Sequence, residues 1–162
     1  MTEDMINKCG LECSSIGEAS RSPSLKGLIV GAGPAGFFTF EELQRFATQN
    51  QVRLSVDMVN RDIRPGGLVV YGVAPDHTKI RSLKDQFEKL LTGPDISYFG
   101  NVRFGEDITL SDFQNRYHFV IYAVGAQSDQ KLGIPGEDLL GCFSGMTFIA
   151  WYNGDPAFSN LT

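Results

Sequence analysis

The sequence predicts an α/β fold with a mainly parallel sheet, and two observations support this prediction. An apolar run at residues 25–30 stops at a glycine-rich turn and helical spacing follows, and a second strand-like run begins at residue 52. A strand, a helix and a second strand in this order form a βαβ unit, whose strands are parallel. The composition, with 42% hydrophobic and 20% charged among 162 residues, is that of an ordinary globular chain with one core.

The first helix and the second strand follow from local spacing. Phe37, Phe40 and Leu43 recur at steps of three and four residues, which predicts an amphipathic helix over residues 34–48. Apolar and polar residues alternate over residues 52–59. This alternation predicts a second strand with one face less covered than a fully buried parallel strand would have.

The rest of the chain has weaker local signals. A segment rich in Gly and Pro, residues 64–77, predicts a structured loop, whereas residues 127–162 show little periodicity. Four further elements are predicted: a helix at residues 79–91, two short strand pieces within 96–104, a short helix within 108–117 and a buried strand at 119–124.

Charge and cysteine content narrow the class of protein. The net charge of −5 provides no positive field for nucleic acid, and no apolar run approaches the ~20 residues that span a bilayer. The chain has three cysteines, Cys9, Cys13 and Cys142, and their spacing is neither that of a redox pair nor that of a zinc site. The sequence therefore predicts no metal site, and it predicts a reducing compartment. Residues 1–26 predict a disordered leader without signal-peptide features. We therefore expect a cytoplasmic protein.

The glycine-rich turn is the candidate binding motif. It has the pattern G-x-G-x-x-G between a strand and a helix, which is typical of dinucleotide binding in a Rossmann-like βαβ fold. The first glycine allows the tight turn, the second the approach of a pyrophosphate, and the third close helix–strand packing. The anion then lies on free N–H groups at the start of the helix. The residues of the motif are Gly31, Ala32, Gly33, Pro34, Ala35 and Gly36.

An acidic residue at the end of the second strand usually accompanies this motif, because a carboxylate accepts hydrogen bonds from ribose hydroxyls. Asn60 stands at that place. Its amide oxygen can accept one such bond, but without the negative charge that strengthens it. Asp62 is the alternative acceptor, unless it is an ordinary solvated turn residue.

Several strings, in order, resemble the ferredoxin–NADP reductases of the adrenodoxin reductase type, with the bacterial branch most similar. They are Gly-Val-Ala-Pro-Asp-His at 72–77, Phe-Gly-Asn-Val at 99–102, Tyr-Ala-Val-Gly-Ala-Gln-Ser-Asp at 122–129, Ile-Pro-Gly-Glu-Asp at 134–138 and Trp-Tyr-Asn-Gly at 151–154. The resemblance implies a flavoprotein that moves electrons from NADPH through FAD to a ferredoxin or adrenodoxin, which are iron–sulfur proteins. For eukaryotic members of this family the mitochondrial matrix is the alternative compartment.

The resemblance also implies roles for individual residues. The glycine turn would hold the FAD pyrophosphate, and His77 would act near the flavin and nicotinamide as the candidate catalytic residue. A histidine before a helix is otherwise only a turn or capping residue. Further residues beside the cofactor would be Gly67, Leu68, Val69, Gly125 and Ala126. The chain departs from the family at Gly66, where a bulky residue is usual, and at Val70, where an Arg is usual.

The chain contains one G-x-G-x-x-G motif, and one such motif serves one dinucleotide. Family members bind NADPH on a second unit, so the resemblance implies a chain truncated before that domain and nearly inactive alone. The expected division is a leader at 1–26, an FAD-binding βαβ domain at 27–126 and a connecting segment at 127–162. NADPH would bind only to a full-length protein.

Other readings stay open at this stage. A disulfide reductase needs a cysteine pair near the flavin, and the loop at 64–77 has none. The small subunit of glutamate synthase shares the Gly-Gly-Leu and Ile-Pro-Gly-Glu strings but normally follows a cysteine-rich iron–sulfur region. An NAD-binding module shares the glycine fingerprint. Asn60, Gly66 and Val70 favour a cofactor-free remnant.

Overall fold

The computed structural model describes residues 23–126 and 128–161, and it contains a four-stranded parallel sheet in the order β3-β2-β1-β4. The predicted α/β class with a parallel sheet is confirmed. The strands are β1 (Ser24–Val30), β2 (Arg53–Val59), β3 (Ile96–Phe99) and β4 (Phe119–Tyr122). The helices are α1 (Pro34–Gln49), α2 (Leu68–Tyr71), α3 (Thr78–Arg81), α4 (Leu83–Leu90), α5 (Leu110–Phe113) and α6 (Gly145–Tyr152), followed by a 3-10 turn at Pro156–Phe158.

β1 begins at Ser24, one residue before the predicted apolar run at 25–30. Ser24 pairs with Arg53 and Lys26 with Ser55, so residues 24–26 of the predicted leader form the start of the strand. Backbone hydrogen bonds to β2 extend a strand regardless of side-chain polarity, and the apolar pattern alone does not register this extension. Residues 1–22 of the predicted leader lie outside the described residues.

The prediction that one face of β2 is less covered is wrong for the second half of the strand. The last four residues, Val56 to Val59, are all buried, including Asp57. The Asp57 carboxylate accepts a hydrogen bond from the Tyr117 hydroxyl at 2.7 Å and pairs with the Lys26 ammonium at 3.1 Å. A polar residue therefore lies on a covered face because partners satisfy it.

The predicted helix over 79–91 is two helices, α3 and α4, which meet at Ser82. The Ser82 hydroxyl donates to the Lys79 carbonyl, and local bonds of this kind compete with the regular helical pattern. α6 lies within residues 127–162, which show little periodicity in the sequence. Its sequence is apolar on nearly every side, so it lacks the amphipathic spacing by which a helix is recognised.

The predicted buried strand over 119–124 is shorter and only half-buried. β4 ends at Tyr122, whose side chain is 50% exposed, because β4 pairs with β1 alone and lies at one end of the described sheet. The second strand piece predicted within 96–104 is reduced to one isolated bridge between Phe104 and Ile108.

Both faces of the sheet are covered. On one face, α1 and α4 pack against β1 and β2, and the rings of Phe37 and Phe87 stack with centroids 4.3 Å apart. On the other face, Phe113 of α5 closes a smaller cluster with Leu28 and Val59. Burial on two faces leaves the strand ends as the open part of the sheet.

Candidate functional site

The candidate site is a cleft of about 620 Å³ at the carboxyl ends of the strands. It is lined by residues that directly follow β1, β2 and β4, among them Gly31, Asn60 and Ala123. Open parallel sheets bind ligands in a crevice outside this edge. The segment at 67–72 and α6 form its other walls.

The three glycines of the turn have different surroundings. Gly31 has a φ of +109°, and a Cβ added there would lie 2.3 Å from the Ala123 carbonyl oxygen. A Cβ on Gly36 would lie 2.2 Å from the Gly31 carbonyl oxygen. A Cβ on Gly33 would meet nothing within 4 Å, because Gly33 faces the cleft. Gly31 and Gly36 therefore serve packing, and Gly33 leaves the backbone open to a ligand.

The start of α1 is suited to an anion. Gly33 is the residue before the helix, Pro34 is its first residue, and within the described residues no side chain caps this end. The first N–H groups of a helix lack partners inside it, and together with the helix dipole they favour negative charge. A dinucleotide pyrophosphate fits this cradle, since the bare backbone of Gly33 is open to it.

The segment at Gly66 and Gly67 rests directly on the glycine turn. The Gly66 N–H donates to the Ala32 carbonyl at 2.7 Å. Gly67 has a φ of +53°, and a Cβ there would lie 3.1 Å from the Gly33 Cα. α2 follows at once, and it turns Leu68 towards the cleft and Val69 into the core.

Asn60 links the end of β2 to the turn. Its amide oxygen accepts from the Ala32 N–H at 3.2 Å, and its amide nitrogen donates to the Asp62 carbonyl at 3.1 Å. An amide oxygen has two lone pairs, so this oxygen can accept a second hydrogen bond, and Asn60 lines the cleft. The Tyr98 hydroxyl donates to the Asp62 carbonyl at 3.0 Å, and burial raises the pKa of Tyr98. The end of β2 is thus fixed by hydrogen bonds.

The structure brings nine of the predicted binding residues to the cleft and leaves four predicted site residues outside its lining. The nine are Gly31, Gly33, Pro34, Ala35, Asn60, Gly67, Leu68, Gly125 and Ala126. Ala32, Gly36 and Val69 support the cleft from behind, since all three are buried or packed against backbone. The role of each in binding stays a prediction.

His77, the predicted catalytic residue, does not line the cleft. Its side chain is exposed, and it occupies the position before α3, where its carbonyl accepts from the Ile80 N–H. This placement is that of a turn or capping residue. A catalytic role for His77 is not supported by a contact with the cleft and stays a prediction.

Sequence reasoning missed the wall opposite the glycine turn. Met146 and Ala150 of α6, Tyr71 of α2 and Arg103 all line the cleft. The apolar character of α6 hid the helix itself, and Arg103 reaches the cleft only because the chain after β3 crosses the sheet edge. No local sequence motif predicts that these four residues line the cleft.

Within residues 23–126 and 128–161, no group of three or more His, Cys, Asp or Glu side chains is placed to hold a metal ion. No helix in this part of the chain is long and apolar enough to cross a bilayer. Cys142 is a free, exposed thiol.

The strand, glycine turn and helix around an uncapped helix start are those of dinucleotide-binding α/β proteins. No protein-family model matches the chain. NADPH-ferredoxin reductase FprA of Mycobacterium tuberculosis is 47% identical over 135 residues, which are 83% of this chain and 30% of the relative. The mitochondrial NADPH:adrenodoxin oxidoreductase of Bos taurus is 40% identical over 128 residues, 79% of this chain and 25% of the relative.

A solved structure extends the similarity to the fold. FprA from Mycobacterium tuberculosis in complex with NADPH matches with a TM-score of 0.79 and 45% identity, over 86% of this chain and 31% of that one. The resemblance to the ferredoxin–NADP reductases of the adrenodoxin reductase type is therefore confirmed. The chain spans about 30% of the length of the curated relatives it matches.

Proposed function

We propose that this chain is the FAD-binding portion of an NADPH-dependent reductase that passes electrons to an iron–sulfur protein of the ferredoxin or adrenodoxin type. The observation that supports this most directly is the open backbone of Gly33 at the uncapped start of α1, in a chain 47% identical to a ferredoxin reductase. That backbone is where a flavin dinucleotide would place its pyrophosphate.

The chain's own residues would bind and orient the cofactor. The N–H groups at the start of α1 would hold the pyrophosphate, and the free lone pair of Asn60 would accept from a ribose hydroxyl. α2, with Leu68 exposed toward the cleft, would lie beside the flavin. FAD supplies the chemistry of the full protein when bound, because it accepts a hydride and releases single electrons.

Turnover is a property that we propose for a longer protein. One glycine motif holds one dinucleotide, so NADPH would bind to sequence that the longer relatives possess. We therefore expect the 162-residue chain to bind FAD but to reduce ferredoxin slowly or not at all. We expect the cytoplasm as its compartment, with the mitochondrial matrix as the alternative.

Two measurements on the purified chain test this function. FAD titration should quench flavin fluorescence with saturation at one FAD per chain, and NADPH-dependent reduction of cytochrome c through ferredoxin should stay at background. Saturable binding supports the proposal. A chain that is colourless and ignores added FAD contradicts it, and a ferredoxin-dependent rate near that of intact relatives contradicts the expected inactivity.

A cofactor-free remnant is the second candidate. One observation favours it: both ends of the Asn60 amide already have partners in the protein, at Ala32 and Asp62, and no carboxylate replaces it. Gly66 and Val70 add to this, since the usual bulky residue and Arg are missing there. The FAD titration separates the two candidates directly.

A further inference from the structure

A hydrogen-bonded pair outside the glycine motif connects two walls of the cleft. The Asn153 amide nitrogen donates to the Tyr71 carbonyl at 2.8 Å and to the Val73 carbonyl at 2.9 Å. The Arg81 guanidinium donates to the Val73 carbonyl at 3.1 Å and to the Asn153 amide oxygen at 2.8 Å. We call Asn153 and Arg81, with these bonds, the wall clamp.

The clamp joins segments that are distant in sequence. Asn153 is the residue that ends α6, and its backbone N–H is held by the Ile149 carbonyl. Tyr71 is the last residue of α2, and Val73 follows it by two positions. The three bonds of the Asn153 side chain span 72 to 82 residues, so they fix tertiary structure and not a local turn.

Both joined segments line the cleft. Tyr71 and Gly72 line it at the end of α2, and Met146 and Ala150 line it from α6. α2 has four residues and one turn, so it has little stability of its own and depends on what holds its end. The clamp saturates the two backbone carbonyls at that end, and they are part-buried, where an unpaired carbonyl is costly.

We propose that Asn153, held in place by Arg81, is a positioning residue that fixes α2 against α6 and thereby shapes the flavin side of the cleft. This proposal rests on the proposed function, because the resemblance puts residues 67–69 beside the flavin. The glycine turn and the end of β2 would serve the ADP half of the cofactor, and none of the clamp's hydrogen bonds goes to either of them. We therefore expect the clamp to act more strongly on the flavin half than on the ADP half.

Binding of FAD and of ADP to the full chain tests this division. Asn153→Ala removes both donors, and we expect the FAD dissociation constant to rise about tenfold. The ADP dissociation constant should stay within about twofold, a change of less than about half a kcal/mol. The absorption band of bound flavin should shift, because its surroundings become wetter.

The chain offers a matched control. Asn50 also ends a helix, α1, and its amide nitrogen donates to the Phe46 carbonyl at 2.8 Å, but it lies away from the cleft. Asn50→Ala should leave both dissociation constants and the flavin spectrum unchanged. Arg81 makes both of its bonds from one guanidinium nitrogen, Nη1, and Arg81→Lys keeps a charged nitrogen with several donors on a shorter side chain, so a smaller rise in the FAD dissociation constant is expected.

Amide hydrogen exchange of the ligand-free chain separates failure of the clamp from failure of the proposed function. Exchange over residues 68–77 should accelerate in Asn153→Ala and not in Asn50→Ala. Unchanged exchange there overturns the clamp whether or not FAD binds. The positioning role is overturned if Asn153→Ala leaves the FAD dissociation constant unchanged. It is also overturned if the ADP dissociation constant rises as much as the FAD dissociation constant. A wild-type chain that takes up no FAD overturns the proposed function.

Discussion

Single residues in the glycine turn separate folding from binding. A Cβ added to Gly31 or Gly36 would overlap backbone atoms, whereas a Cβ added to Gly33 would point into empty space. The sequence motif treats the three glycines alike, but their reasons differ. The motif predicted where they lie because each is local to one turn, and the distances to Ala123 and Gly31 required the folded sheet.

Gly33→Ala should therefore bind FAD poorly while it folds normally. Its free energy of unfolding should change by less than about 0.5 kcal/mol, and loss of a charge-assisted contact should raise the FAD dissociation constant about tenfold or more. Gly31→Ala is the matched variant, and backbone strain at its φ of +109° should cost at least about 1–3 kcal/mol. Urea unfolding and FAD titration of both variants check this. Equal loss of stability in the two would contradict it.

Asn60 shows what sequence position alone cannot tell. The end of the second strand was predicted to carry the ribose-binding residue, and Asn60 does line the cleft. Its bond to the Ala32 N–H depends on how closely β1 and β2 approach at their ends, which no local pattern encodes. The residue was predictable and its structural partner was not.

Among the elements, α1 was predictable and α6 was not, and in both cases the reason is how the faces of the helix are surrounded. α1 buries one stripe and leaves charged residues outside, so its spacing is visible in the sequence. α6 presents Phe148, Trp151 and Tyr152 on its exposed side, and apolar residues on all sides erase the periodicity. An element is readable from sequence when its two faces meet different surroundings.

The stacking of α1 on α4 gives a prediction at this scale. Phe37 is fully buried and stacked on Phe87, whereas its neighbour Phe38 touches the same ring edge-on and is 44% exposed. Phe37→Ala should lower the free energy of unfolding by about 3–5 kcal/mol, and Phe38→Ala by about 1 kcal/mol or less. Chemical denaturation measures both. Similar losses for the two residues would show that α1 packs differently.

At the scale of the whole molecule, the polar group on the β2 face links the sheet to the segment that covers it. Tyr117 donates to Asp57, and the Lys26 ammonium lies 5.0 Å from the Tyr117 ring centre. Burial, followed by the bond to the Asp57 carboxylate and its charge, raises the pKa of Tyr117 from 10.0 to about 12. This contact ties residues 60 positions apart.

The raised pKa predicts a loss of stability in alkali. The folded protein holds the Tyr117 proton more tightly than the unfolded chain, so this contribution is complete below pH 10.0 and is lost as the pH rises towards about 12. Between these two pH values, the free energy of unfolding should fall more steeply for the wild type than for Tyr117→Phe, which has no hydroxyl proton to lose at this position. Parallel plots of the free energy of unfolding against pH would contradict the raised pKa of Tyr117.

The strand order has a consequence for how the cleft tolerates change. From β1 the chain crosses to β2 and on to β3 in one direction, and it then reverses to place β4 on the other side of β1. The connection after β1 covers one face of the sheet and the connection after β3, which contains α5, covers the other, so a topological switch point lies between β1 and β4. The location of the cleft is therefore a property of the winding of the chain. Substitutions in its lining, such as Asn60 for a carboxylate, alter how tightly a ligand is held and leave the place where it is held unchanged.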